Sequence, residues 1–220
     1  MSTPDHAAAR AEICRVGRSL FERGYVHATA GNISVKLPDG GHLITPTDAC
    51  LGFLDPARLA HVNAAGEQLS GDRASKTLTL HRSLYAARPD IGCVLHTHST
   101  HLVALTLAGV WRDDEVLPPI TPYFVMKVGR VPLIAYRRPG DPEVAQLVAD
   151  AIARAGVAPP RAVLLDRLGP LVWAETPAAA MATLEELEET ARLWLMTAPR
   201  PAPLPEERIQ ELLSTFGLRR

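Results

Sequence analysis

Apolar and polar positions alternate along this chain with two periods, and the switches between them mark its elements. Ile13, Val16, Leu20 and Phe21 recur at helical spacing and predict a first helix that opens near Pro4, with Ser2 or Thr3 as its cap, and stops at Gly24. The next stretch, AGNISVKLPDGGHLITP, places Asp39-Gly40-Gly41 between two short β-prone runs and predicts a hairpin. A second helix is predicted from Ser75 through LTLHRSLYAARP, stopping before Pro89. A strand over 91–98 follows, then a helix capped by Ser99 or Thr100 and carrying Leu102, Val103, Leu105 and Leu107. VPLIAY (131–136) reads as a strand, and Gly140-Asp141-Pro142 opens a helix whose Val144, Leu147, Val148 and Ile152 share one face. RAVLLD (161–166) and PLVWA (170–174) predict paired strands, and Thr176-Pro177 opens the longest helix, reaching about Met196.

Strands and helices interleave with both hairpins and crossovers, which predicts an α/β domain over residues 1–197 with a mixed, mainly antiparallel central sheet flanked by helices. The proline-spaced APRPAPLPEE and the amphipathic RIQELLSTF make residues 198–220 a linker and short helical arm. The arm's apolar stripe (Ile209, Leu212, Leu213, Phe216) is expected to pack on its own domain or on a neighbouring subunit.

Composition narrows the function classes. The chain of 220 residues is 47% hydrophobic and 21% charged with a net charge of −1, which argues against a nucleic-acid groove or a polybasic membrane patch. No apolar run approaches membrane-spanning length, so a cytoplasmic location is expected. Cys14, Cys50 and Cys93 form no motif, and reduced thiols are expected. The chemistry concentrates in CVLHTHSTHL. His96 and His98 sit two apart on the predicted strand and would present both imidazoles to one side, the start of a metal site that needs a third donor. All eight histidines lie at or before position 101, so none in the C-terminal half can supply it. His101, or a residue of a neighbouring subunit, is a candidate. His81, among Leu78, Leu84 and Tyr85, reads as a packing histidine, and His27 as a loop residue. Glu185, Glu186, Glu188 and Glu189 read as a solvated helix face with Arg192.

AGNIS (30–34), LITPT (43–47), LDPARL (54–59), LSGDRASK (69–76), HRSLYAARPDIGCVLHTHS (81–99) and LEELEETARL (184–193) together resemble the class II aldolase/adducin family. PYFVMKVGRVPLIAYRRPGD (122–141) is similar to its branch of 3-oxo-tetronate 4-phosphate decarboxylases. The resemblance implies a nine-stranded sheet, a homotetramer, and a divalent ion, zinc before manganese or iron, held by His96 and His98. It implies a phosphate pocket at Asn32, Thr47, Ser75 and Lys76, and a small anionic sugar acid as substrate, cleaved at a carbon–carbon bond. Tyr123 and Arg138 are further candidates for gripping an acid group. Three positions depart from the family. Its proton-handling glutamate falls on Thr77, its later metal-binding histidine on Leu168, and Asp48 puts a negative charge beside the phosphate loop. The expected function is therefore a metal-dependent lyase with altered ligands; the alternative is a non-catalytic homologue serving binding or assembly.

Overall fold

The computed structural model describes residues 6–156 and 158–219; the expected Ser2 or Thr3 cap and Pro4 lie outside the described residues. The eight described strands form one sheet in the order β4-β3-β2-β1-β5-β8-β7-β6, where the family resemblance implied nine. These are β1 (Asn32–Lys36), β2 (His42–Ile44), β3 (Ala60–Val62), β4 (Gln68–Ser70), β5 (Cys93–His96), β6 (Leu133–Ile134), β7 (Ala162–Leu165) and β8 (Gly169–Ala174). Every pair is antiparallel except β6 with β7. The expected mixed, mainly antiparallel α/β class is the observed one.

Strand alternation sorts the side chains into two cores. Ile33, Cys93, Leu95, Leu164 and Val172 face one side, with α1 (Ala7–Glu22), α3 (Thr100–Ala108) and α5 (Pro177–Met196) over them. Val94, Val163, Leu165, Leu171 and Trp173 face the other, under α2 (Leu78–Ala87) and α4 (Glu143–Arg154). Asn32 pairs with His96, and His96 with Leu171, so the polar end of β1 and the histidine of β5 share the α2/α4 side.

Several boundaries differ from expectation for visible reasons. The 91–98 strand is cut to Cys93–His96. Beyond it Gly169, at φ +110, packs where a Cβ would lie 2.3 Å from the Thr97 carbonyl oxygen, and the chain turns away into α3. The second helix opens at Leu78 rather than Ser75, because Ser75 N–H donates to Thr45 O (3.2 Å) and holds the chain beside residue 45. Ser99 occupies the N-cap position of α3 without capping it; its hydroxyl donates to Tyr25 O (2.9 Å). VPLIAY contributes only Leu133–Ile134 to the sheet. At α4 and α5 the expected signals operate, with Asp141 Oδ1 accepting from Glu143 N–H (3.1 Å) and Thr176 Oγ1 from Ala179 N–H (3.2 Å). The arm forms α6 (Glu206–Thr215), which packs Ile209 inward beside a π-helical turn at 124–128, while Phe216 stays exposed.

Candidate active site

A cavity of about 230 Å3 opens on the α2/α4 side, where β1 and β5 end against the first turn of α2. Asn32, Lys76, Thr77, His96, His98, Arg138 and Leu168 all line it. Four of the six expected site residues are therefore brought together, along with two of the three substituted positions. Ser75 stands one step behind, its hydroxyl 2.9 Å from that of Thr77. Thr47 and Asp48 line a different concavity, with Cys50 and Arg58, although Thr47 N–H donates to Arg73 O (2.9 Å) close to the Ser75 turn. Tyr123 is exposed and away from the cavity wall.

His96 is buried at the last position of β5, and its Nδ1 lies 2.8 Å from the Pro170 carbonyl oxygen. A carbonyl can only accept, so Nδ1 carries the proton and Nε2 keeps a free lone pair. Burial is the main reason its pKa falls to about 4, with His98 adding to the effect and the Pro170 bond opposing it. The His98 ring stands 5.0 Å away, centroid to centroid, past the end of the strand. Burial first, then the nearby His27, holds it below the usual imidazole range.

His81, expected only to pack, adds a third imidazole to the wall. Tyr85 Oη donates to Ser34 O (3.0 Å), Tyr85 Oη and Ser34 Oγ are 2.8 Å apart, and Ser34 Oγ is 2.7 Å from His81 Nδ1. With one proton per group, all three hydrogen bonds are satisfied when Ser34 donates to Tyr85 and His81 Nδ1–H donates to Ser34. His81 Nε2 then presents a bare lone pair, buried and without a hydrogen-bond partner at the cavity wall. Asn32 Oδ1 is likewise buried and unpartnered. The closed end of the cavity is thus rich in acceptors, while exposed Lys76 and Arg138 place two cations at its mouth, the second 3.7 Å from the Asp141 carboxylate that also lines it. The i, i+4 spacing of Thr77, His81 and Tyr85 was the signal that they share one helix face.

Burial of His81 has a measurable consequence. Desolvation, followed by the nearby His96 and His42, lowers its pKa from 6.5 to about 3. Below pH 6.5 the unfolded chain therefore takes up a proton that the folded protein refuses until about pH 3, and stability is lost as pH falls. The slope is about 1.4 kcal/mol per pH unit, or roughly 2 kcal/mol at pH 5. Urea denaturation at pH 7 and pH 5 is expected to show this loss in the wild type. It should shrink by that amount in His81→Leu; equal pH dependence in the two would mean that the ring is not buried neutral.

A metal is incompletely served here. His96 and His98 are suitable donors, but Leu168 stands where the resemblance implied the third, and His101 does not line the cavity. The group of His, Cys, Asp and Glu with ligand-like spacing among the described residues is His6, Asp39 and His61, away from this cavity. The pair therefore does not fit a three-protein-ligand centre.

The family described as Class II Aldolase and Adducin N-terminal domain matches residues 11–195. The chain belongs to this family. It is 55% identical over 215 residues to a 3-oxo-tetronate 4-phosphate decarboxylase of Cupriavidus necator, covering 96% of each chain. It is 45% identical over 192 residues to the protein of that name from Escherichia coli K12, covering 87% of this chain and 88% of the other. The crystal structure of YgbL from Escherichia coli superposes with a TM-score of 0.86 at 44% identity, covering 94% of this chain and 98% of that one. The class II aldolase fold thus surrounds a cavity lined by Thr77 and Leu168, where the resemblance implied a glutamate and a histidine. Among the described residues no helix is long and apolar enough to cross a membrane.

Proposed function

We propose that this class II aldolase-family chain is a carbon–carbon lyase that decarboxylates a small 3-oxo sugar acid carrying a phosphate. The observation that carries the reading is the polarity of the cavity, with cations Lys76 and Arg138 at the mouth and neutral imidazoles at the closed end. Kinship with 3-oxo-tetronate 4-phosphate decarboxylases supports it. Lys76, beside the Ser75 turn, attracts the phosphate, and Ser75 is the further phosphate-loop residue of this reading, while Thr47 lines a different hollow and takes no part. Asn32 orients the hydroxyl and carbonyl of the substrate, and His96 Nε2 accepts from that hydroxyl.

Loss of CO2 breaks the bond between the carboxylate and the next carbon and sends its electron pair to the 3-oxo oxygen. A neutral imidazole N–H, available on His98, can donate to that oxygen as charge develops there. Water then protonates the carbon. No base is needed before bond breaking, which suits a site with Thr77 in place of a glutamate; retro-aldol cleavage would need one. A divalent ion, zinc first, with His96 and His98 as its protein ligands would lack a third from the protein, so the reaction is assigned to the chain's own groups. The working form in this reading is a cytoplasmic homotetramer.

The test is CO2 release from 3-oxo-tetronate 4-phosphate. Turnover is expected in the wild type, with kcat/KM reduced at least 100-fold in His96→Ala. Lys76→Ala should raise KM by about 10- to 100-fold with a smaller effect on kcat. Thr77 and Leu168 in the cavity wall favour one other reading, binding without turnover. Calorimetric binding with no CO2 would select it, and neither binding nor CO2 would overturn both.

A further inference from the structure

On the opposite side of the sheet, His6, Asp39 and His61 come together from three separate segments. His61 lies in mid-β3 and pairs across to Leu43, whose side chain faces the α1 core, so its ring is on the α1 side. His6 immediately precedes α1, and Asp39 sits in the turn between β1 and β2. One ring nitrogen of each histidine and a carboxylate oxygen of Asp39 lie within 4.8 Å of one another. The two rings meet edge to face, with centroids 5.2 Å apart.

These groups have unused bonding capacity. Among the described residues, His6 Nε2 and His61 Nε2 are both buried without a hydrogen-bond partner, and His61 is only 3% exposed. Asp39 spends Oδ1 on Gly41 N–H (2.9 Å). A buried imidazole without a partner is costly, and a ligand that accepts its lone pair removes that cost. Water could answer one such nitrogen; two imidazoles and a carboxylate aimed together match a transition-metal dication. Nearby Arg10 opposes positive charge here, but its guanidinium is tied to the carbonyls of Pro56 (2.8 Å) and Leu59 (3.0 Å).

We propose that His6, Asp39 and His61 form a second, structural site for a zinc-class dication that clips the start of α1 to the β1–β2 turn and β3. Tetrahedral ligands on zinc stand about 3.4 Å apart, so modest side-chain closure completes the set, with water as the fourth ligand. Neutral rings are what a metal requires, and the burial that lowers the pKa of His61 works in the same direction.

The experiment is a Co(II) titration of chelator-treated protein, following visible absorption and thermal midpoint together, for wild type, His61→Ala, Asp39→Asn and His96→Ala. Wild type and His96→Ala are expected to bind with a tetrahedral spectrum and to gain several degrees in midpoint. His61→Ala should lose that signal, and Asp39→Asn should weaken it at least tenfold. Asp39→Asn keeps an oxygen for Gly41 and lies in an exposed turn, so it remains informative if His61→Ala folds poorly. Unchanged affinity in Asp39→Asn, loss of the signal in His96→Ala alone, or no binding by the wild type would each overturn the proposal. All these outcomes are independent of whether the cavity turns over substrate.

Discussion

Replacing Glu188 by alanine is expected to cost about 3–5 kcal/mol of stability. The side chain is 4% exposed in α5 and supplies the cap that Ser99 does not provide at the start of α3. Its Oε1 accepts from His101 N–H (2.8 Å) and lies 2.9 Å from His101 Nδ1, while Oε2 accepts from Leu102 N–H (3.0 Å). Alanine would strand two helix N-terminal donors, one of them on buried Leu102, and the cost of each unsatisfied group is about 1–3 kcal/mol. Urea denaturation should show the full loss in Glu188→Ala and an intermediate one in Glu188→Gln, which keeps an acceptor. Glu207→Ala, on exposed α6, should stay within about 0.5 kcal/mol. A comparable loss at both positions would mean that the α3 cap carries no special weight. The start of α3 follows His98 by two residues, so the same substitution should also loosen the cavity and raise KM for the substrate.

Glu188 also shows where a sequence is mute. Four glutamates in five positions on a long helix look alike, and only the packing of α5 against α3 turns one of them inward. His81 repeats the lesson. Its helical phase placed it on a buried face, but whether its second nitrogen would find a partner depended on β1 and β5. The long elements were legible because they span enough residues to display a period. β3 and β4 have three residues each, too few for alternation to register, and no sequence signal marks them. The opening of α2 falls later than expected because Ser75 is a good cap on local grounds, and a tertiary bond to Thr45 overrides it. Asn32, Lys76, His96 and His98 converge as the motifs implied, whereas Thr47 lines a different hollow. The Arg58 and Asp72 that flank that hollow pair with each other (2.6 Å).

Leu168→His combined with Thr77→Glu is expected to convert the cavity into a stoichiometric zinc site and to raise lyase turnover by about 100- to 10,000-fold. Both positions already line the cavity with His96 and His98, so the new groups enter the same space. Leu168 is only partly buried against the α2/α4 core, so removing its side chain sacrifices about 1–2 kcal/mol of apolar burial. Thr77 holds the N-cap position of α2 without a side-chain cap bond, so no cap is sacrificed there. A carboxylate at that place gains from the helix N-terminus and from Lys76 beside it. The single substitutions separate the contributions. Leu168→His alone should bring zinc without the full rate, because three protein ligands leave one position open while proton transfer still lacks a carboxylate. Thr77→Glu alone should change neither greatly. Elemental analysis of the double variant, with His96→Ala added as the control that removes the new zinc, measures the first claim; CO2 release measures the second. Zinc content and rate both equal to wild type would show that more than two side chains separate this cavity from a three-ligand lyase. Recovery of both would show that the frame has kept the geometry of that chemistry while two residues withheld it.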